Sequence, residues 1–396
     1  MASQREVVIV SGVRTAIGDY GGSLKDFAPS DLAARVVREA VARAEVDPQQ
    51  IGQCVIGNVI HSEPKDMYIS RVAAVNGGLP HSSGALTVNR LCGSGMQAIV
   101  SAAQYILLGD TDAAVGGGAE SMSRAAYSIP SERWGARMGD AKVLDMMVGA
   151  LTDPFDTVHM GVTAENVAKK CEVTREQQDA FAVESHRRAA AAIADGRFKS
   201  QIFAVEVKTR KGPVPFDTDE HVRGDASAEG MAKLKAVFAK ENGTVTAGNA
   251  SGINDAAAAV VLMEAEAAKR AGAKPMARFV AYGHAGIDPK IMGLGPVSAV
   301  KSALGKAGLK LADIDVIESN EAFAAQALGV SKELGLDPAK VNPNGGAVAL
   351  GHPIGATGCI LTIKAMYELA RTGKRYGLIT MCIGGGQGIA AIIERL

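Results

Sequence analysis

The sequence has no net charge, few aromatic residues and no long hydrophobic run. Its 396 residues contain 42 Lys and Arg against 42 Asp and Glu, which removes the electrostatic basis for nucleic acid or an anionic membrane as the main partner. Aromatic residues make up only 4%, so the core must be built from small aliphatic side chains. The apolar runs 256–263 and 377–393 are shorter than the roughly 20 residues of a membrane helix.

Cysteine is also scarce, and its spacing is not that of a disulfide framework. The five Cys residues are widely separated and form no CxxC pair, which favours reduced thiols in a reducing compartment. The seven His residues show no metal-ligand spacing, and no dinucleotide fingerprint or P-loop is present. The first predicted strand begins at Val7, which leaves no room for a secretory signal. We therefore expect a cytoplasmic protein without a metal, a nucleic-acid partner or a membrane partner.

Glycine, in contrast, is abundant and clustered, with 46 residues. Short β-rich runs alternate with Ala- and Leu-rich helical stretches at both ends of the chain. This alternation predicts an α/β protein with largely parallel, buried sheets. The predicted strands are 7–10, 53–60, 113–116, 316–318 and 377–382, and the predicted helices are 29–45, 95–108, 298–307 and 358–371.

Two Gly-rich passages indicate an internal duplication. A turn at 92–95 opens a helix that leads to a strand and the triplet Gly116-Gly117-Gly118. A second turn at 351–358 also opens a helix, which leads to a strand and the triplet Gly384-Gly385-Gly386. Between them lies a stretch without strand and helix alternation. We predict a first half made of 1–120 and 250–272, an inserted segment 121–249 that covers the core, and a second half 273–396.

Cys92 is the strongest nucleophile candidate because it directly precedes a predicted helix. Free N–H groups and the helix dipole at that position stabilise a thiolate and are expected to lower the thiol pKa. A buried, inert cysteine is the alternative.

Three further residues could take part in chemistry with this thiol. His352, in a Gly-rich loop, could act as its base if the fold brings the two together, although a structural His is the alternative. Cys382 ends a strand beside exposed backbone N–H groups, which suits a proton carrier next to an oxyanion hole; a core cysteine is the alternative. Asn320 could cap a helix that begins there, or it could fix a water molecule near a developing negative charge.

Four motifs occur in one order along the chain: Asn89-Arg90-Leu91-Cys92-Gly93-Ser94-Gly95, Asn320-Glu321-Ala322-Phe323, Gly351-His352-Pro353 and Cys382-Ile383-Gly384-Gly385-Gly386. Together they resemble the thiolase family, specifically its acetyl-CoA acetyltransferases and broad-range bacterial β-ketothiolases. The resemblance implies a five-layer αβαβα fold built from two similar halves, with an inserted loop domain. It also implies a homo-oligomer, a tetramer formed as a dimer of dimers.

The resemblance implies a role for each motif residue. Cys92 would be the acylated nucleophile, His352 its base and Cys382 the acid/base that removes the α-proton. Asn320, through a water molecule, would form one oxyanion hole with His352, and the N–H groups of Cys92 and Gly384 would form the other. Residues implied to contact the acyl group or coenzyme A are Ser251, His159, Met160, Arg223, Met292, Ala322 and Phe323.

The implied activity is that of an acetyl-CoA C-acetyltransferase, which condenses acetyl-CoA with acetyl-CoA or a short acyl-CoA and catalyses thiolysis in reverse. Coenzyme A would be a substrate and product, and no cofactor would be needed. A non-catalytic acyl-CoA or lipid carrier on the same scaffold is the alternative from another class. A decarboxylating ketoacyl synthase is a second enzymatic alternative, but such enzymes typically pair the cysteine with two histidines.

Overall fold

The computed structural model describes residues 5–396. Within this range the chain forms fourteen strands: β1 (Val7–Arg14), β2 (Gly18–Asp19), β3 (Gln53–Gly57), β4 (Gly84–Val88), β5 (Ala113–Ser121), β6 (Tyr127–Ser128), β7 (Leu144–Asp145), β8 (Val205–Thr209), β9 (Gly212–Phe216), β10 (Asn254–Glu264), β11 (Ala277–Gly286), β12 (Val316–Ser319), β13 (Tyr376–Ile383) and β14 (Gln387–Arg395).

The same range contains twelve α-helices: α1 (Pro29–Ala44), α2 (Ile69–Asn76), α3 (Ser94–Leu108), α4 (Met146–Ala150), α5 (Met160–Lys170), α6 (Arg175–Ala194), α7 (Ala228–Ala232), α8 (Ala265–Arg270), α9 (Gly295–Ala307), α10 (Ala324–Leu334), α11 (Ala347–Leu350) and α12 (Thr357–Thr372). Short 3₁₀ helices occupy Pro48–Gln50, Pro64–Tyr68, Met122–Arg124, Pro130–Trp134, Pro289–Leu294 and Leu311–Asp313.

The main sheet repeats one strand pattern in its two halves. The first half has the order β4-β3-β5-β10-β1, and the second has β12-β13-β14-β11, with a parallel bridge from Ile317 to Val341 at the position that β4 holds in the first. The halves join where β1 pairs with β11, through only two residue pairs. The prediction of two similar halves is confirmed.

The prediction of largely parallel sheets is wrong. Parallel pairs are confined to β3–β4, β3–β5 and β12–β13, whereas β1, β10, β11 and β14 pair antiparallel with their neighbours in the main sheet. The turn after β13 explains the antiparallel pair β13–β14. Gly385 and Gly386 adopt φ of 79° and 84°, and a parallel return would need a crossover of a dozen or more residues. The chain therefore turns straight back into β14.

Helices form three layers around the two halves of the sheet. Helices α1 and α2 cover the outer face of the first half, and α9 packs on β11 and β14 of the second half. Helices α3 and α12 contact each other and lie between the halves, with α3 on β3 and β5 and α12 on β12 and β13. This is the predicted αβαβα arrangement.

The stretch 121–249 contains more regular structure than the sequence indicated. It includes α5 and the twenty-residue helix α6, together with the two-stranded sheets β6–β7 and β8–β9. A fully buried ion pair between Arg14 and Asp219 attaches this stretch to β1. The predicted boundaries of the inserted segment and of the two halves stay predictions.

One helical stretch in the described range, Leu91–Leu108, is long and apolar enough to cross a membrane by length and composition. It consists mainly of α3, and 56% of its residues are buried within the protein. Core helices of soluble proteins pass the same test, so the feature is weak support for a membrane span. The predicted cytoplasmic location stays a prediction.

The glycines of β5 allow the two halves to approach closely. A Cβ on Gly118 would lie 2.1 Å from the carbonyl oxygen of Gly355 and 2.9 Å from Cα of Ala356. Both of these are main-chain atoms, which cannot move aside as a flexible side chain can. This contact places the loop that follows α11 directly over the end of β5.

We predict that Gly118→Ala destabilises the fold by about 3 kcal/mol, because an added methyl group overpacks a backbone contact. Gly305→Ala is the matched control. Gly305 lies in α9, and a methyl group added there would have no neighbouring atom within 4 Å, so this change should stabilise the helix by up to about 1 kcal/mol. Urea unfolding measures both values, and equal stability of the two variants would contradict the prediction.

Candidate active site

Cys92 lies in a tight turn that its neighbours hold in place. The hydroxyl of Ser94 donates to the carbonyl of Leu91 (2.6 Å) and accepts the N–H of Arg90 (2.9 Å). Leu91 adopts φ of 45°, in the left-handed region that L-residues seldom occupy. Helix α3 then starts at Ser94 with Gly93 as its N-cap, so the thiol lies just ahead of the first turn.

The expectation of a lowered Cys92 pKa is wrong. Burial raises the pKa of the Cys92 thiol to about 11, although hydrogen bonds from the N–H groups of Gly384 and Cys92 lower it in part. Cys92 as a whole residue is partly exposed to solvent. Two donors do not compensate for the loss of solvent around the sulfur, so the thiol is protonated at neutral pH.

His352 is buried in the loop between α11 and α12, and its ring has one defined tautomer. The hydroxyl of Thr357 donates its single proton to the carbonyl of Pro353 (3.0 Å) and therefore accepts from Nδ1–H of His352 (2.7 Å). Nε2 is then unprotonated and faces Nδ2 of Asn320 at 3.4 Å. Burial lowers the His352 pKa to about 4, so the neutral ring presents a proton acceptor.

Asn320 does not cap a helix. Helix α10 begins at Ala324 with Phe323 as its N-cap, four residues after Asn320. The N–H of Asn320 instead donates to the carbonyl of Thr380 (2.9 Å), which ties it to β13. Its side chain is fully buried, and Oδ1 has no partner among the described residues. The amide therefore offers a polar atom beside His352, which favours the alternative in which Asn320 fixes a water molecule.

Cys382 lies near the end of β13 and is fully buried. Burial raises its pKa, and the neighbouring Cys92 raises it further. The two thiols are therefore close enough to interact electrostatically. Cys382 shares an apolar cluster with four residues predicted to bind substrate: Met160, Met292, Ala322 and Phe323.

A cavity of about 330 Å³ lies beside this cluster and extends to His352. Its lining includes Ser251, His159 and Phe323, three of the residues predicted to contact coenzyme A or the acyl group, together with Phe238. The ring of His159 stacks on Phe238 at 4.7 Å, and the N–H of Ser251 donates to the carbonyl of Ala322 (3.0 Å).

Arg223 lies in a second cavity of about 420 Å³, with His186 and His221. The two cavities share Ala247 in their walls and are therefore neighbours. An elongated ligand that entered past Arg223 could extend toward His352. No group of three His, Cys, Asp or Glu side chains suited to a metal ion occurs among residues 5–396.

Sequence reasoning missed Thr357, Asn254 and Phe238. Thr357 stands five residues after His352 in the same Gly-rich passage, which is a signal that could have been used. Asn254 accepts the N–H of His352 (2.9 Å) from a strand 98 residues away, and Phe238 lies in the inserted stretch. Only tertiary contacts identify these two.

Two family models match the chain: the thiolase N-terminal domain over residues 7–266 and the thiolase C-terminal domain over residues 273–395. The chain belongs to the thiolase family. It is 69% identical over 392 residues to the beta-ketothiolase BktB of Cupriavidus necator, with 99% of this chain and 100% of the relative covered. It is 50% identical to an acetyl-CoA acetyltransferase of Chromobacterium violaceum, with 98% and 100% covered.

Solved thiolase structures have the same fold. The crystal structure of the Bacillus anthracis acetyl-CoA acetyltransferase matches with a TM-score of 0.97 and 45% identity over 100% of both chains. The human mitochondrial 3-ketoacyl-CoA thiolase in complex with CoA matches with a TM-score of 0.96 and 43% identity, over 100% of this chain and 99% of the other. The predicted thiolase fold is confirmed.

We predict that acidification destabilises the protein through His352. The folded state holds its pKa at about 4, whereas an unfolded His titrates near 6.5. The unfolded state therefore binds the proton first as the pH falls, and the free energy of unfolding decreases below about pH 6.5. From pH 7.5 to 5, His352 should account for a loss of about 2 kcal/mol.

Urea unfolding of the wild type and of His352→Gln at both pH values measures this loss. The variant should lose less stability on acidification than the wild type, because glutamine does not titrate. An identical decrease in the two proteins would show that His352 makes no such contribution.

Proposed function

We propose that this protein is an acetyl-CoA C-acetyltransferase, a β-ketothiolase that catalyses reversible condensation of acetyl-CoA with acetyl-CoA or a short acyl-CoA. The observation that carries the proposal is the proximity of the two thiols to each other and of a neutral histidine to a buried amide, with that histidine lining a ligand-sized cavity. The names of the similar proteins, beta-ketothiolase and acetyl-CoA acetyltransferase, support it.

In the first half-reaction, Nε2 of His352 takes the proton of the Cys92 thiol as the sulfur attacks the thioester carbonyl. Coenzyme A leaves as a thiol after receiving that proton, and the acetyl group stays on Cys92. The N–H groups of Cys92 and Gly384, which already point at the sulfur, are placed to stabilise the developing oxyanion. Such a donor is typically worth about 3 kcal/mol of barrier.

In the second half-reaction, Nε2 of His352 takes the proton of the Cys382 thiol, and the Cys382 thiolate removes an α-proton from a second acetyl-CoA. The resulting enolate oxygen is stabilised by the protonated Nε2 of His352 and by a water molecule held on Asn320. The carbanion attacks the acetyl group on Cys92, the carbon–sulfur bond breaks, the departing Cys92 thiolate takes the proton from His352, and the β-ketoacyl-CoA leaves. Thiolysis runs these steps in reverse. Each group in this cycle comes from the chain or from the substrates, so we propose that no cofactor is needed.

Coenzyme A would follow the two neighbouring cavities. Ser251 and His159 would contact the pantetheine in the first cavity, and Arg223 in the second would contact the nucleotide end. The acyl group would lie in the cluster around Cys382, whose lining includes Met160, Met292, Ala322 and Phe323. Segment 121–249 supplies His159, Met160 and Arg223 and would therefore cover the bound ligand.

We further propose a tetramer made from two dimers. Strand β4 is the last strand of the main sheet and leaves Leu86 exposed. The stretch 127–148 exposes several large apolar side chains, among them Trp134 at 85% and Met138 at 98%. Unpaired edges and apolar patches of this kind are typical of protein interfaces.

Sedimentation equilibrium should give the mass of four chains for the wild type. The double substitution Trp134→Ser and Met138→Ser should lower the mass to that of a dimer without unfolding the protein, because both side chains contact little within the chain. A monomeric wild type would contradict the tetramer.

We predict that brief exposure to acetyl-CoA, without a thiol acceptor, places an acetyl group on Cys92. Intact-mass measurement and peptide mapping should locate it there, and free coenzyme A should remove it. Cys92→Ala should abolish the adduct and turnover in both directions. Cys171→Ala is the matched control and should keep both, since Cys171 lies in a separate apolar cluster. A protein that binds coenzyme A but forms no adduct would favour the carrier.

Cys382→Ser should separate the two half-reactions. Acetylation of Cys92 should proceed, because Cys382 handles no proton in that step, while condensation should fall by at least about a hundredfold through loss of the group that takes the α-proton. Mass mapping and a coupled condensation assay measure the two rates. Equal loss of both would refute this division of roles.

A further inference from the structure

A buried carboxylate next to the site has no role in the steps above. Glu120 lies in β5 and is fully buried. Its Oε2 accepts the N–H groups of Val59 (3.1 Å) and Gly355 (2.9 Å). Its Oε1 accepts the N–H of Ile60 (3.1 Å) and Nδ2 of Asn58 (3.1 Å). Four donors therefore converge on one carboxylate.

These donors belong to two loops that surround the nucleophile. Asn58, Val59 and Ile60 follow β3, and Gly355 lies three residues after His352. Val59, Ile60 and Ile354 pack in one apolar cluster with Cys92. The carboxylate of Glu120 thus joins the loop that carries His352 to the loop after β3, whose residues Val59 and Ile60 share an apolar cluster with Cys92.

The four hydrogen bonds favour the ionised form of Glu120. Every partner is a donor, and a protonated carboxyl would direct its own hydrogen at an N–H group. Burial raises the Glu120 pKa to about 8, and the backbone N–H groups oppose this effect. Because the Cys92 pKa is about 11, Glu120 is ionised over the pH range in which the Cys92 thiolate forms. The ionisable groups that act on it are Asp255 and Cys92, both by charge, and the loop residues 58–60 and 353–356 carry none.

We propose that Glu120 is a positioning residue whose buried carboxylate fixes the separation of His352 and Cys92 and sets the charge that the Cys92 thiolate experiences. This inference rests on the proposed function, because the transfer of a proton between these two residues is the step that it controls. Glu120 itself touches no reacting atom in this scheme.

Glu120→Gln tests the proposal. The amide keeps the size of the side chain but places an NH₂ group against two N–H donors and removes the charge. The kcat for thiolysis of acetoacetyl-CoA should fall at least about tenfold through misplacement of the reacting groups, with KM for coenzyme A within about twofold. The pH midpoint of Cys92 alkylation by iodoacetamide, located by peptide mapping, should move to lower pH because a nearby negative charge is lost.

Asp66→Asn is the matched control. Asp66 is also a fully buried carboxylate that accepts backbone N–H groups, from Ser62 and Glu63. These bonds tie the end of the loop after β3 to the 3₁₀ helix Pro64–Tyr68 and do not involve the loop that carries His352. This variant should keep the wild-type kcat and the wild-type alkylation midpoint.

Two results would overturn the proposal: a folded Glu120→Gln protein with wild-type kcat, or a reduced kcat with an unshifted alkylation midpoint, which would indicate a merely structural role. Wild-type protein without turnover would refute the proposed function instead, and the alkylation profiles would still decide whether Glu120 acts on Cys92.

If Glu120→Gln does not accumulate as folded protein, Asn58→Ala tests the proposal, because it removes one hydrogen-bond donor from the carboxylate. Its kcat should fall about threefold, and an unchanged kcat would overturn the proposal.

Discussion

The site depends on one contact between main chains, where the first turns of α3 and α12 meet. A Cβ on Gly95 would lie 2.9 Å from the nitrogen of Cys359, and a Cβ on Gly358 would lie 2.3 Å from the nitrogen of Met96. Only glycine allows helices to approach this closely. Because Cys92 and His352 lie just before these helices, the contact brings a nucleophile from one half of the chain to a base from the other.

The same burial that assembles the site makes its resting state neutral. The Cys92 and Cys382 thiols have raised pKa values, and His352 has a lowered one. Charge therefore develops only during the proposed reaction, and the N–H groups at Cys92 and Gly384 are oriented for it beforehand. Donors fixed in a water-poor site stabilise such charge more than water-exposed donors do. The carboxyl group of Glu120, whose pKa burial raises to about 8, lies at the edge of this region.

Much of the fold was predictable from sequence patterns. The Gly-rich turns at 92–95 and 351–358 indicated the duplication, and alternating apolar runs placed helices α1 and α12 within a residue or so of their observed ends. The direction of strands β10 and β14 was not predictable in this way. A buried strand has the same apolar sequence pattern whether it runs parallel or antiparallel to its neighbours. The N-cap expectation for Asn320 failed because β13 holds its backbone through Thr380, a contact across 60 residues of chain.

The sequence by itself determined the family, through four ordered motifs around Cys92, Asn320, His352 and Cys382 that resemble it, and the two-half architecture, through two similar Gly-rich turns. Both signals are local in the chain. Only the tertiary structure decided the ionisation of those residues and the partners that orient them. The tautomer of His352, the raised pKa of Cys92 and the four donors on Glu120 all arise from burial against distant segments. Desolvation and long-range hydrogen bonds are properties of the packed chain, and no local pattern specifies them.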